Sequence, residues 1–270
     1  MVGFLKRLIG RGGGGAAAPA RGGKRFDAAL EIDRPTYAVG DVHGRDDLLA
    51  RLLPRLAEDA AAQGFEAPRL VLMGDYVDRG EQSAEVLERV AGLCAGHGGW
   101  PGEVQALRGN HEQMLLAFLD DPEGEGPRWL RNGGLQTLLS FGVGGVAPNP
   151  GPEDLDDIAA RLRAAAGPLE AMLRDLPLSL RHGNVLFAHA GADPDLPAAM
   201  QPDRVLLWGS SRFHQLPRTD GIWVVYGHYV VDEAGPSAGR VATDTGAYHT
   251  GVLSAVRLAD GAVGVLTSAG

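Results

Sequence analysis

Apolar segments alternate with amphipathic segments through the first half of the chain, and a glycine-containing turn follows each apolar segment. The apolar segments end in the sequences TYAVGDVHG, RLVLMGDYVDRG and EVQALRGNHE, and leucine-rich stretches with helical spacing follow each of them. Short apolar runs bounded by glycine turns favour buried strands, whereas the leucine spacing favours helices. The pattern therefore predicts three consecutive strand–turn–helix units and a parallel sheet.

The second half of the chain has a different pattern. Residues 120–176 are rich in Gly, Pro and amphipathic stretches, which predicts a helical insert. Strands are then predicted at 178–191, 221–231, 239–248 and 250–267, the last two as an antiparallel meander with Asp260-Gly261 as a hairpin turn. Residues 1–25 include the low-complexity stretch RGGGGAAAPARGG and predict a flexible Gly-rich tail, so the folded domain is expected to occupy 26–270.

Composition narrows the function classes. The chain has 270 residues, a formal net charge of −9 and a single cysteine. The negative charge argues against general nucleic-acid binding, which usually requires a basic face. One cysteine permits no intrachain disulfide, which fits a reducing cytoplasm. No apolar run reaches the length of a membrane-spanning helix, so we expect a cytoplasmic protein without stable membrane association.

Aspartate, asparagine, histidine and arginine residues follow five of the predicted strands. Ligands bind at the carboxyl ends of strands in open α/β sheets, so these residues are expected to lie together. A single histidine after a strand is more often a capping or core residue than a ligand. Five strand ends with such residues are hard to explain by packing, because unpaired buried carboxylates and imidazoles are costly. The residues are Asp41, His43, Asp75, Asp78, Arg79, Asn110, His111, His189 and His228.

The donor types indicate a metal centre. Asp, Asn and His supply oxygen and imidazole nitrogen without thiolate, which suits Mn²⁺, Fe or Zn²⁺. Six such ligands are too many for one catalytic ion that also holds water. They suit two ions about 3.5–4 Å apart that share one carboxylate.

The motifs GDVHG (40–44), GDYVDRG (74–80), RGNHE (108–112), HAG (189–191) and GH (227–228) resemble those of the calcineurin-like metallophosphoesterases. Within that group they resemble the phosphoprotein phosphatase family and its bacterial and phage-type serine/threonine phosphatases. The closing TDTGAYHTGVLSAV is similar to the final hairpin of the bacterial members. The resemblance implies a sandwich of two β-sheets flanked by helices, with two metal ions at one edge.

The resemblance also implies roles for individual residues. Asp41 and His43 would bind the first ion, Asp75 would bridge both ions, and Asn110, His189 and His228 would complete the second. His111 would be the general acid, oriented by Asp78, and Arg79 would bind the substrate phosphate beside Asn110. A hydroxide that bridges two dications is a nucleophile at neutral pH, which fits these roles.

One departure from the family concerns a second phosphate-binding arginine. Related bacterial enzymes often carry it two positions after a tryptophan, where this chain has Ser210 after Trp208, and Arg212 is the nearest candidate. Asp244 is predicted to form a turn, and Glu112 to interact with the dipole of the helix that it opens. Trp129 is predicted to pack in the core or in the helical insert.

The leading hypothesis is a dinuclear metal-dependent phosphatase that hydrolyses phosphoserine or phosphothreonine monoesters. Mn²⁺ is the metal that we expect first, with Fe or Zn²⁺ as alternatives. The alternative is a symmetric diadenosine tetraphosphate hydrolase, because those enzymes share all of these motifs. A third hypothesis, a non-catalytic scaffold, is disfavoured because every expected ligand position is retained. In either enzyme the substrate is a phosphoprotein or a small phosphoester.

Overall fold

The computed structural model describes residues 26–147 and 150–269, so the N-terminal tail predicted at 1–25 lies outside the described residues. The described chain forms two five-stranded sheets. The strands are β1 (Thr36–Val39), β2 (Arg69–Leu72), β3 (Val104–Ala106), β4 (Ser179–His182), β5 (Val185–Ala188), β6 (Trp223–Tyr226), β7 (Gly235–Ser237), β8 (Arg240–Ala242), β9 (Ser254–Ala259) and β10 (Ala262–Thr267).

The first sheet has the order β10-β9-β1-β2-β3. β1 pairs parallel with β2, and β2 pairs parallel with β3, whereas β9 pairs antiparallel with β1 and with β10. Every residue of β1 and β2 is buried, as expected for parallel strands that are covered on both faces. The predicted strand–turn–helix repeat and its parallel sheet are confirmed.

The helices connect the strands and surround the sandwich. α1, α2 and α3 follow β1, β2 and β3, and four further helices with a π-helical turn (Leu130–Gly134) occupy the region for which the sequence predicts a helical insert. The helices are α1 (Asp46–Ala62), α2 (Ser83–Cys94), α3 (Asn110–Asp120), α4 (Pro122–Trp129), α5 (Leu135–Ser140), α6 (Pro152–Ala166), α7 (Pro168–Asp175), α8 (Asp203–Trp208) and α9 (Ala247–Thr250).

The second sheet has the order β4-β5-β6-β8-β7, in which β5, β6 and β8 are parallel. The two sheets pack face to face through apolar side chains such as Ala38 and Val71 on one side and Phe187, Val225 and Val241 on the other. Tyr37 and Val39 point to the opposite face, where they meet the leucines of α1. The predicted two-sheet sandwich flanked by helices is confirmed.

The end of the chain corrects one prediction and confirms another. The segments 239–248 and 250–267 do not form one meander, because β8 lies in the second sheet and β9 in the first. The segment between them crosses from one sheet to the other over the edge at which β1 and β6 end. The β9–β10 hairpin does turn at Asp260-Gly261, and both residues have positive φ, 52° and 74°. No helix in the described parts of the chain is long and apolar enough to cross a membrane.

Candidate active site

The polar residues that follow the strands meet at one edge of the sandwich. Asp41 and His43 follow β1, and Asp75 follows β2, while Asn110 and His111 open α3. The second sheet contributes the remaining two residues, His189 after β5 and His228 after β6. Except for the half-buried His228, all of these side chains are buried. Loops from both sheets therefore build a single cluster.

Two groups of potential metal ligands share Asp75. The ligand atoms of His43, Asp75 and His111 lie within 4.8 Å of one another, as do those of Asp75, His189 and His228. Asp75 Oδ2 lies 3.5 Å from Nε2 of His43 and 3.3 Å from Nε2 of His189. A carboxylate shared by two groups of imidazoles is consistent with a dinuclear metal site.

Backbone carbonyls fix the orientation of two of the histidines. Nδ1 of His43 donates a hydrogen bond to the carbonyl of Val77 at 2.9 Å, and Nδ1 of His189 donates to the carbonyl of Met73 at 3.0 Å. A carbonyl can only accept, so Nδ1 of each ring carries a proton and Nε2 is directed towards Asp75. Metal-binding histidines typically donate their other ring N–H to a carbonyl or carboxylate in this way.

Asn110 lies at the centre of the second group. Its Oδ1 is 2.9 Å from Nε2 of His189 and 2.8 Å from Nδ1 of His228. Ligands of one octahedral ion with bonds of about 2.1 Å are separated by about 3 Å, so three such atoms can share one ion. The backbone N–H of His228 donates to Oδ2 of Asp41 at 3.0 Å, which joins Asp41 to this group.

The charges of the cluster favour a bound cation. Oδ1 of Asp41 is buried without a hydrogen-bond partner among the described residues. Burial, together with the neighbouring Asp244, raises the pKa of Asp41 well above its usual range. A divalent ion would stabilise the ionised form of this carboxylate and satisfy the orphan oxygen. The donor set therefore fits the metal centre that the sequence predicts.

The protonation states of the histidines and Asp75 differ across the cluster. Burial opposes protonation of His189, but the charges of Asp75 and Asp41 outweigh it and raise its pKa to about 10, so a metal ion at this residue would have to displace a proton. Burial lowers the pKa of His43 to about 3 and that of His228 to about 4, so both are neutral and able to ligate. Burial alone would raise the pKa of Asp75, but His189, His111 and His43 surround the carboxyl group and hold it well below its usual range. Asp75 is therefore an anion in this cluster.

His111 and Asp78 form a buried pair. Nδ1 of His111 lies 2.7 Å from Oδ2 of Asp78, so that Nε2 is directed into the cluster. Burial opposes protonation of His111, but the charges of Asp75 and Asp78 outweigh it and raise the pKa of the imidazole. Arg79 lies at the same point, with its guanidinium 3.0 Å from Nε2 of His43 and 3.1 Å from Nε2 of His111.

The helical insert holds Asp78 in place, which the sequence analysis missed. The indole N–H of Trp129 lies 3.0 and 3.1 Å from the two oxygens of Asp78, and the hydroxyl of Thr137 donates to Oδ1 at 2.7 Å. The carbonyl of Gly133 accepts from the backbone N–H of Arg79 at 3.3 Å. Trp129 is fully buried against Phe118, as predicted, but it also donates to Asp78. The available signal was the sequence WLRNGGLQT, which interrupts a helical pattern with two glycines.

The backbone at the cluster is strained. Five of its residues have left-handed conformations, which cost on the order of 1–2 kcal/mol for a residue with a side chain. They are His43, Asp75, Asp78, Arg79 and His228, with φ between 46° and 71°. Such conformations persist only where the surrounding structure holds them.

Glu112 supplies much of that support. One carboxylate oxygen accepts from the backbone N–H groups of Asp75 and Gly109, both at 2.8 Å. The other accepts from Tyr76 at 2.7 Å and Val77 at 3.2 Å. Glu112 is therefore a clamp on the loop after β2, and not merely a partner of the α3 dipole as the sequence analysis expected.

The segment between β8 and β9 covers one side of the cluster. Asp244 is buried and accepts the backbone N–H of Gly246 at 2.8 Å, which agrees with its predicted place in a turn. Tyr248 extends from α9 over Arg79, with the guanidinium carbon 4.8 Å from the ring centroid. The centroid of its ring lies 5.5 Å from the centroid of the His43 ring. The sequence analysis did not single out Tyr248.

Arg212 is the one candidate that the described contacts do not join to the cluster. Its guanidinium forms an ion pair with Asp195 at 2.7 Å, and both side chains are about half exposed. Ser210, which replaces the expected arginine, has its hydroxyl 3.4 Å from Asp193. A role for Arg212 in phosphate binding stays a prediction.

Known proteins are similar to this chain in sequence and in fold. The sequence profile of the calcineurin-like phosphoesterases matches residues 34–240. The chain is 26% identical to serine/threonine-protein phosphatase 2 of Escherichia coli (strain K12), over 82% of this chain and 91% of that protein. It is 42% identical to a symmetrical bis(5'-nucleosyl)-tetraphosphatase of Paracidovorax citrulli (strain AAC00-1), over 30% of this chain.

The coverage of these relatives differs. The chain spans 38% of the length of the first curated relative and 25% of the length of the second, which is the tetraphosphatase. A solved structure provisionally named a diadenosine tetraphosphatase superposes with a TM-score of 0.54 at 19% identity, over 89% of this chain and 98% of that chain. That likeness supports the fold. The match over residues 34–240 shows that the chain belongs to the calcineurin-like phosphoesterases, and the buried His/Asp groups are consistent with a metal site.

Proposed function

We propose that this protein is a dinuclear-metal phosphatase that hydrolyses phosphoserine and phosphothreonine monoesters. The two groups that share Asp75 support two divalent ions, for which we propose Mn²⁺. The proposed ligands are Asp41, His43, Asp75, Asn110, His189 and His228. His111 belongs to the first group as well, but we propose that its pairing with Asp78 keeps it as a proton donor and not as a ligand. When bound, such ions supply an activated water and neutralise phosphate charge.

The side chains around the ligands suit the remaining tasks. A serine or threonine alkoxide leaves poorly unless it receives a proton, and Nε2 of His111 is directed into the cluster while Asp78 holds Nδ1. Arg79 offers two guanidinium nitrogens at the same point. A bound phosphate would take these donors from His43 and His111, which frees Nε2 of His111 to carry the proton.

The observation that best supports this substrate class is the length of the alignment to the E. coli serine/threonine phosphatase. It covers 82% of this chain and 91% of that protein, so it includes the helical insert as well as the motifs. The insert is the part that donates to Asp78. Matches to the tetraphosphatases cover 30% to 58% of this chain and 25% to 44% of those enzymes.

The alternative substrate is a symmetric dinucleoside tetraphosphate. One observation favours it: the 42% identity to a tetraphosphatase exceeds the 26% identity to the serine/threonine phosphatase, although over a shorter segment. Both reactions use the same metal and histidine chemistry. The choice between them depends on groups outside the motifs.

A comparison of catalytic efficiencies tests the proposal. The purified protein is stripped of metal, reloaded with Mn²⁺ and assayed on a phosphoserine peptide and on diadenosine tetraphosphate. We expect the peptide to be preferred by about a hundredfold, which corresponds to about 2.7 kcal/mol of transition-state discrimination. The reverse preference would make this protein a dinucleotide hydrolase.

A further inference from the structure

A groove lies beside the candidate active site, between the loop after His228 and the β9–β10 hairpin. Its cavity volume is about 430 Å³. Asp232 and Glu233 line one side, and Val252 and Val265 provide apolar surface. Both carboxylates are exposed, and Val265 is 46% exposed, which is high for an aliphatic side chain on a strand.

The groove and the candidate active site share two segments of the chain. In the segment 244–250, Asp244 lies close to Asp41, and the ring of Tyr248 lies against Arg79, so both residues face the cluster. Thr245 and Thr250 of the same segment line the groove. In the segment 228–234, His228 belongs to the cluster and Asp232 to the groove. The backbone N–H of Val231 donates to the carbonyl of Asp244 at 3.0 Å and so joins the two segments. The segment that contains α9 therefore separates the cluster from the groove, so a peptide that occupied both would have to cross it.

The groove has the surface that a basic side chain requires. Lysine and arginine place an aliphatic stem on apolar atoms and keep the charged end near water or a carboxylate. Val252 and Val265 suit the stem, and Asp232 and Glu233 suit the charge. The same carboxylates repel a polyphosphate chain, and the net charge of −9 adds to that repulsion.

We propose that this groove binds a lysine or arginine side chain of a phosphopeptide whose phosphoserine or phosphothreonine lies at the metal centre. The inference deepens the proposed function and rests on it. A helix with its side chains is about 10 Å wide and an extended peptide advances about 3.4 Å per residue, so the basic residue lies about three positions from the phosphorylated one. The groove thus makes the enzyme selective for basic phosphopeptides.

The test uses phosphoserine peptides in which one lysine is moved through the neighbouring positions on either side, with a glutamate series for comparison. Catalytic efficiency is measured on the Mn²⁺-loaded protein, with para-nitrophenyl phosphate as a substrate that cannot reach the groove. We expect lysine at one position, about three residues away, to exceed glutamate there by about tenfold at low salt, since two exposed carboxylates contribute modestly.

Matched variants assign the preference to the groove. In the variant Asp232→Asn/Glu233→Gln the preference for lysine should fall to about one, and in Asp232→Lys/Glu233→Lys it should reverse, while turnover of para-nitrophenyl phosphate is unchanged. The control Glu58→Gln/Glu66→Gln removes the same charge from exposed positions in α1 and in the loop between α1 and β2, and should keep the preference.

The outcomes separate this inference from the proposed function. Equal hydrolysis of all phosphopeptides by the wild-type protein would overturn the groove assignment and leave the phosphatase in place. The same holds if the charge-reversal variant keeps the lysine preference. Hydrolysis of para-nitrophenyl phosphate without hydrolysis of any phosphopeptide would overturn the proposed function, and the groove inference with it.

Discussion

The loop after β2 and the turn between β9 and β10 use the same backbone conformation in different ways. Asp75, Asp78 and Arg79 in the loop and Asp260 in the turn all have φ between 52° and 71°. In the turn, aspartate precedes glycine, and this local sequence is sufficient for a two-residue hairpin. In the loop, the conformation depends on side chains that are distant along the chain.

The distant supports of the loop explain why it can carry chemistry. Glu112 binds four of the N–H groups around it, and Trp129 and Thr137 bind the carboxylate of Asp78. Gly74, with φ of 95°, brings the loop so close to Gly109 that a Cβ atom would lie 2.6 Å from its backbone nitrogen. The loop is thus held from α3 and from the insert, and its strained residues face the cluster with fixed side chains.

The largest effect is expected from removing the residue that the loop places between the two ligand groups. Asp75→Ala should lower the catalytic efficiency by at least about a thousandfold, because it removes the shared ligand and its charge. Phosphate release and metal content after dialysis measure it. The matched variant Asp260→Ala, in the hairpin turn, should keep both. Wild-type activity in Asp75→Ala would contradict a metal centre built on this residue.

The next effect is expected at the support of the loop. Glu112→Ala leaves four buried N–H groups without an acceptor, and we expect the free energy of unfolding to fall by about 3–5 kcal/mol. Urea unfolding measures it. The control is Glu85→Ala, since Glu85 occupies the same position in the first turn of α2 but is exposed. A change of less than about 1 kcal/mol is expected there. Equal effects at both positions would show that Glu112 acts only on the helix dipole.

A smaller effect is expected at the insert. Trp129→Phe keeps the aromatic ring but removes the N–H that bonds Asp78, so we expect kcat to fall by about tenfold with KM nearly unchanged. Steady-state kinetics on a phosphoserine peptide measure both constants. Trp100→Phe is the control, because it removes an indole bond of 2.9 Å to the carbonyl of Pro68, ahead of β2. An unchanged kcat in Trp129→Phe would mean that the insert does not position the pair of Asp78 and His111.

The smallest effect is expected in the hairpin turn. Asp260→Ala places a side chain without local hydrogen bonding in a left-handed conformation, at a cost of about 1 kcal/mol in the free energy of unfolding. Asp260→Gly should cost less, because glycine adopts this conformation freely. Urea unfolding of both variants compares them. If Asp260→Ala reduced the catalytic efficiency as strongly as Asp75→Ala, the hairpin turn would not depend on its local sequence alone.

The sequence predicted those features that depend on local pattern or on motif spacing. The parallel strands, their helices, the Asp260-Gly261 turn and the family all follow from short stretches of residues. It did not predict that β8 and β9 lie in different sheets, because both are short strands followed by polar turns. It also missed the hydrogen bonds from Trp129 and Thr137 to Asp78 and the clamp by Glu112, since these act across long separations in the chain and such residues have ordinary structural uses.

The count of bound metal ions tests the central claim most directly. The wild-type protein and the variant His228→Ala are reloaded with excess Mn²⁺ and dialysed, and metal and protein are quantified together. Two groups that share Asp75 predict about two ions per wild-type chain and about one in the variant, with loss of phosphatase activity. A wild-type chain that retains no ion after reloading, yet hydrolyses phosphoserine peptides, would contradict the account.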